Sequence, residues 1–283
     1  MTPTEQPSGL ANMVRAAAGA LPLVRRGDTL PTRTVNVEGL AIDGANVAAY
    51  ANVTGLRFGD TVPLTYPFAL TFPSVMSLVS GFDFPFAAMG SVHVENHITQ
   101  YRPIAVTDVV DVTVHAENLR EHRKGLLVDV ITDVNVGNDN VWHQVTTFLH
   151  QQKTSLSDEP RTEPKKQPKL PPPNAILKIT PAQIRHYASV SGDHNPIHTS
   201  SIGAKLFGFP TAIAHGMFSA AAVLGNVEAQ VPDAVKYSVR FGKPITLPAS
   251  AGLYVDRSGD AWELTLRHLG KGYPHLTGTL DPL

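Results

Sequence analysis

A chain of 283 residues carrying 24 acidic and 23 basic side chains, with 17% charged residues against the roughly 25% usual in soluble proteins, offers no basic footprint for a nucleic-acid backbone. The absence of cysteine excludes disulfides, thiolate metal sites and cysteine nucleophiles together. No run of about 18 apolar residues is present to span a bilayer, so an enzyme or small-ligand binder is expected, cytoplasmic by default and with no membrane span.

The first element in the chain is LANMVRAAAGALPLVRRG, residues 10–27. It lacks a basic start and has Arg15 inside its apolar part, so it reads as an amphipathic helix rather than a signal peptide. Next comes YANVTGLRFGDT, Tyr50 to Thr61, and then PFALTFP, Pro67 to Pro73, leading into the helix-like apolar stretch SVMSLVSG. After it the pattern turns to alternation in VVDVTVHAE, GLLVDVITDVNV and VWHQVTTFLHQQ, with a turn at Gly137-Asn138-Asp139. Residues 155–174, SLSDEPRTEPKKQPKLPPPN, hold six prolines and almost nothing to bury, which makes them a linker. The expected division is a first domain over 1–154, the linker 155–174 and a second domain over 175–283.

The second segment repeats the plan of the first. YASVSGDHNPIH, Tyr187 to His198, begins like the phrase at Tyr50, and Pro210 to Gly216 matches Pro67 to Pro73 ahead of the apolar helix MFSAAAVLG. Val235, Val239 and Pro244-Ile245 match Val94, Ile98 and Pro103-Ile104. These offsets are 137, 143 and 141 residues, in the same order. Alternation follows again in AGLYVDR, AWELTLRHL and YPHLTGTL. Each half is therefore an apolar helix plus an antiparallel meander, and a helix as apolar as MFSAAAVLG has to be covered nearly all round by a curling sheet.

The chemistry sits in one copy. Asp193 offers a carboxylate and His198 an imidazole, and Pro196 between them breaks regular helix, so a turn aims both at one point. A water held between them is a poised nucleophile. Gly216 opens the apolar helix, where backbone N–H groups lack intrahelical partners and an anion is favoured. In the first half Leu56 and Thr61 take the places of Asp193 and His198, and Pro73, which has no N–H, takes that of Gly216. That half reads as catalytically dead, its apolar helix and sheet available to wall a tunnel for an apolar chain.

The stretch Tyr187 to Ala204, YASVSGDHNPIHTSSIGA, resembles the hydratase 2 signature of MaoC-like (R)-specific enoyl-thioester hydratases, and more narrowly the actinobacterial (R)-3-hydroxyacyl-thioester dehydratases. The resemblance implies an α+β double hot dog fold, Asp193 and His198 as catalytic residues and Gly216 as oxyanion donor. The implied reaction adds water to a trans-2-enoyl thioester of coenzyme A or an acyl carrier protein, or removes it from an (R)-3-hydroxyacyl thioester in fatty acid metabolism. It calls for no metal and no other cofactor. A double hot dog supplies internally the contact that single ones obtain by dimerising, so a monomer or a homodimer is expected. Two other readings remain: an acyl-thioesterase on the same fold, and a non-catalytic acyl-carrier binding partner.

Plainer roles are expected elsewhere. Asn195 supports the loop and His215 lines the pocket beside Gly216. His194 and His198 are spaced as HxxxH, but Pro196 spoils the shared helical face that metal ligation needs. His93, His97, His143 and His150 read as strand residues facing solvent or pocket. Gly270-Lys271-Gly272 reads as a hairpin turn with Lys271 within reach of a carrier's phosphate, while Arg240 and Lys243 read as a solvated strand edge or as holders of a phosphopantetheine arm.

Overall fold

The computed structural model describes residues 6–19, 26–158 and 170–283. Helix α1 (Gly9–Gly19) realises most of the amphipathic segment, whose residues 20–25 lie outside the described residues, as do residues 159–169 of the proline-rich linker. The first half continues with β1 (Val35–Ala41), α2 (Gly44–Thr54), α3 (Tyr66–Val79), β2 (Ser91–Gln100), β3 (Val109–His122), β4 (Gly125–Val136) and β5 (Asp139–Gln151). The second runs β6 (Ala175–Ile179), α4 (Pro181–Ser191), α5 (Pro196–Thr199), α6 (Ser201–Leu206), α7 (Gly216–Leu224), β7 (Val235–Phe241), β8 (Ala249–Ser258), β9 (Ala261–His268) and β10 (Pro274–Pro282). No helix among the described residues is long and apolar enough to cross a membrane.

Among the described residues ten strands form one sheet in the order β1-β3-β4-β5-β2-β7-β10-β9-β8-β6, antiparallel throughout. The two meanders expected from alternation are present, each extended by a short strand (β1, β6) that its sequence did not announce. They merge through β2 and β7. His97 pairs with Ser238, its own repeat equivalent at an offset of 141, so a pseudo-twofold axis passes between them, and His97 Nδ1 lies 3.0 Å from Ser238 Oγ. Tyr50 and Tyr187 meet near the same axis with ring centroids 5.8 Å apart. Because β7 lies inside the sheet, the solvated edge expected at Arg240 does not exist; Arg240 instead donates two hydrogen bonds to Glu95 of β2, at 2.6 and 2.8 Å.

Each half wraps its sheet on an apolar helix. In α7 the side chains of Met217, Phe218, Ala220, Ala221, Val223 and Leu224 are all buried, as so apolar a helix demands. Burying each large one contributes about 1.5–3 kcal/mol. Helix α3 packs on β1, β3 and β4 and starts eight residues before the apolar stretch that announced it, so Pro73 lies within the helix. A proline there costs the helix a hydrogen bond. Neighbouring carbonyls are satisfied from outside: Gln6 Nε2–H donates to Leu70 O at 2.7 Å and Asn12 Nδ2–H to Pro73 O at 2.8 Å.

The position of Pro73 corrects the pairing of the two halves. Helices α2 and α4 keep the offset of 137, both ending on a left-handed glycine, Gly55 (φ 78°) and Gly192 (φ 76°). The next equivalent contacts are the bridges Thr61–Ala105 and Ile213–Thr246, where the offset from Thr61 to Ile213 is 152. The second half therefore carries 15 additional residues between α4 and its bridge, 152 against 137. Those residues include α5 and α6. Thr61 is the counterpart of Ile213 and not of His198, and Leu64 rather than Pro73 stands where Gly216 does.

Candidate active site

The inserted segment is built by local chemistry. A capping box starts α4: Thr180 Oγ1 accepts the Gln183 N–H at 3.2 Å and Gln183 Oε1 accepts the Thr180 N–H at 3.0 Å. Gly192 ends it in the left-handed conformation that a side chain would strain, and Asp193 follows at the turn. Asp193 Oδ1 accepts the Asn195 N–H at 3.2 Å, and Asn195 Oδ1 accepts the Ile197 N–H at 3.3 Å with Pro196 at the first helical position. Asn195 thus caps α5. Gly203 admits the next turn: a Cβ there would lie 2.6 Å from Pro196 Cβ.

His198 emerges from α5 with its ring tethered. A carbonyl only accepts, so the 2.9 Å contact from His198 Nδ1 to Ile213 O places the proton on Nδ1 and leaves Nε2 as a lone pair facing the site. Nε2 lies 4.0 Å from Asp193 Oδ2. Burial lowers the pKa of His198, against the opposing pull of the Asp193 carboxylate and the Ile213 carbonyl. His215 precedes α7 and is fully inside. Its Nε2–H donates to Asp193 O at 2.9 Å, its ring lies against that of His198 at 3.8 Å between centroids and tilted by 30°, and burial together with His198 pushes its pKa down to about 3. A neutral His215 therefore clamps the main chain of Asp193 and backs the ring of His198.

Gly216 begins α7, so its N–H has no intrahelical acceptor. A Cβ at that position would lie 3.1 Å from the ring of Phe241. These groups open on a cavity of about 480 Å³ lined from both halves, Phe68, Phe72, Pro73 and Met76 of α3 among its walls beside Asp193 and His198. His93 of β2 lines it too, its ring beside Phe68, Phe148 and Phe241 and its pKa pushed down to about 3, chiefly by burial. Leu56 is buried in the core and does not line the cavity.

Donor atoms of Asp193, His198 and His215 lie within 4.8 Å of one another, the spacing of a metal site. The set does not fit one, because His215 Nε2 carries the proton it gives to Asp193 O, leaving one carboxylate and one imidazole. Asp193, His198, His215 and Gly216 converge. His194 is exposed outside that cluster, Lys271 lies in the expected turn before Gly272 (φ 70°) and away from the cavity, and Lys243 stands exposed on the rim over the Tyr273 ring, 4.5 Å from its centroid.

The chain is 74% identical over 278 residues to 3-hydroxyacyl-thioester dehydratase X of Mycobacterium tuberculosis, covering 98% of this chain and 99% of the relative. It belongs to the MaoC-like dehydratase family. The family's MaoC like domain matches residues 161–274, the half that holds the inserted segment. The crystal structure of HtdX from Mycobacterium tuberculosis superposes with a TM-score of 0.81 at 70% identity, over 89% of this chain and 100% of that one. A MaoC-like dehydratase from Phytophthora capsici shares the fold at 19% identity, with a TM-score of 0.69 over 90% of this chain and 96% of that one. As a MaoC-like dehydratase the protein is a hydro-lyase on an α+β double hot dog.

The residues that line the cavity from the first half, His93 and the phenylalanines of α3, are ones the sequence read only as a strand histidine facing solvent or pocket and as an apolar helix. Their placement follows from the β2–β7 pairing, which no local pattern announces.

Proposed function

We propose that the protein interconverts trans-2-enoyl and (R)-3-hydroxyacyl thioesters, with catalysis in residues 175–283 and the acyl chain running beneath α3 of residues 1–154. One observation carries the proposal. A carboxylate and a neutral imidazole with its lone pair inward stand 4.0 Å apart inside a cavity that phenylalanines of the first half also line.

In the hydration direction Asp193 and His198 hold water between them. As its oxygen bonds to the β-carbon, the pair takes one proton and returns one to the α-carbon; hydrogen and hydroxyl add across the double bond and the site ends as it began. Charge that develops on the thioester oxygen is met by the Gly216 N–H at the positive end of α7. His215 is a positioning residue, holding Asp193 by its main chain and His198 by its face. On the rim, Lys243 is available to a phosphate of the carrier, whether coenzyme A or an acyl carrier protein.

Mixing the protein with crotonyl-CoA while following enoyl-thioester absorbance and free thiol tests the reading. Absorbance falls without thiol release. Thiol release would mark a thioesterase, and silence in both signals across several chain lengths would mark a binding module.

A further inference from the structure

The cavity does not end at α3. Gly9, Asn12, Met13 and Ala16 of α1 line it as well, at the spacing i, i+3, i+4, i+7 that defines one face of a helix. Asn12 is 3% and Ala16 5% exposed, whereas Val14, off that face, is 63% exposed. Three side chains fasten α1 in place, each donating to backbone carbonyls. Gln6 reaches Leu70 O at 2.7 Å and Asn12 reaches Pro73 O at 2.8 Å, both around the proline turn of α3. Arg26 spans from Gly19 O, at the end of α1, to Gly81 O and Phe84 O in the segment after α3, at 3.0, 3.0 and 3.1 Å. A cation at the last carbonyls of a helix also suits its dipole. Among the described residues α1 makes no hydrogen bond with the loop from Asp193 to Gly216.

We infer that α1 is the end wall of the acyl cavity and that Ala16 determines the longest acyl group the site accepts, an inference that rests on the proposed function. The sequence places the smallest of side chains at the buried wall position. Its neighbour on the lining face, Met13, is flexible and half-exposed, able to follow the end of an alkyl chain. The wall is held by hydrogen bonds remote from the catalytic groups, so a change in it alters which chains fit while leaving the reaction of short ones alone.

The test compares kcat/KM for crotonyl-, octenoyl-, dodecenoyl- and hexadecenoyl-CoA in the wild type, Ala16→Leu, Ala16→Phe and Val14→Phe. One methylene misfitted in an apolar pocket is worth about 10-fold to 200-fold in discrimination. Ala16→Phe is therefore expected to lower the hexadecenoyl-to-crotonyl ratio by about 10-fold or more, with crotonyl-CoA kept within about twofold. Ala16→Leu falls between, and decides alone if the larger residue disturbs folding. Val14→Phe leaves the ratio unchanged. An unchanged ratio in Ala16→Leu, or an equal shift in Val14→Phe, overturns the inference. Should the wild type hydrate no enoyl thioester, the proposed function falls separately. The wall is then read from the affinities of saturated acyl-CoA of the same lengths, where the same ordering supports it and a flat series refutes it.

Discussion

Asp193→Asn separates charge from shape at the site. Asn keeps an oxygen where Asp193 Oδ1 accepts the Asn195 N–H, and the carbonyl that His215 clamps belongs to the main chain, so the loop has no reason to move. The charge is what is lost. An imidazolium forming 4.0 Å from that carboxylate is stabilised by about 4 kcal/mol at an effective dielectric constant of about 20. Full loss corresponds to about 10³-fold in rate, and a half-developed charge, about 2 kcal/mol, to about 30-fold. Asp193 also opposes the burial that lowers the His198 pKa, so in the variant His198 protonates at still lower pH and the acid limb of residual activity moves down. The assay is kcat for crotonyl-CoA hydration across pH, beside thermal unfolding expected to stay within about 3 °C of the wild type. A loss smaller than about 10-fold, or an acid limb that moves up, would refute the assignment of the Asp193 charge to the chemical step.

Gly216→Ala adds a Cβ 3.1 Å from the Phe241 ring and displaces the N–H aimed at the thioester oxygen; kcat is expected to fall about 10²-fold, as for removal of one oxyanion donor, with little change in melting temperature. Burial keeps His93, His198 and His215 neutral in the fold, their pKa values lowered from 6.5, to about 3 for the first and last. The unfolded chain takes up protons below about pH 6.5 that the folded one refuses, so stability is full above that value and drops as pH falls, by about 1.4 kcal/mol per histidine per pH unit; urea unfolding at neutral and mildly acidic pH reads this, and a flat profile would contradict it. The double substitution Leu56→Asp, Thr61→His is expected to create no second active site: with His198→Ala as background, crotonyl-CoA hydration stays at the background rate, and recovered turnover would show that the two halves differ only by point changes.

The phrase from Tyr187 to Ala204 was legible because its geometry is local. Gly192 marks the left-handed end of α4, Asn195 and Pro196 start α5, and Gly203 admits the backbone of Pro196, so the residue types that shape the loop are the ones that make it recognisable. The meanders were legible for the same reason, since period-two alternation is a property of each strand alone. What failed to show was everything set by distant pairing. The joining of β2 to β7 brings together residues 141 positions apart, such as His97 and Ser238, and places His93 and Phe241 beside each other in one cavity.

The match of Pro73 to Gly216 slipped for a related reason. Apolar helical residues are interchangeable, and a comparison resting on them can slide by several positions without penalty, whereas a backbone bridge such as Thr61–Ala105 or Ile213–Thr246 cannot. Placed by those bridges, the first half lacks the whole segment that carries α5, α6 and His198, rather than bearing inert residues in its place. That difference has a physical consequence for the cavity. Without an inserted loop, α3 follows closely on α2 and runs 14 residues against 9 for α7, carrying Pro73 and its phenylalanines along the cavity to α1. The segment missing from one half and the room for an acyl chain opposite the other are two aspects of one asymmetry.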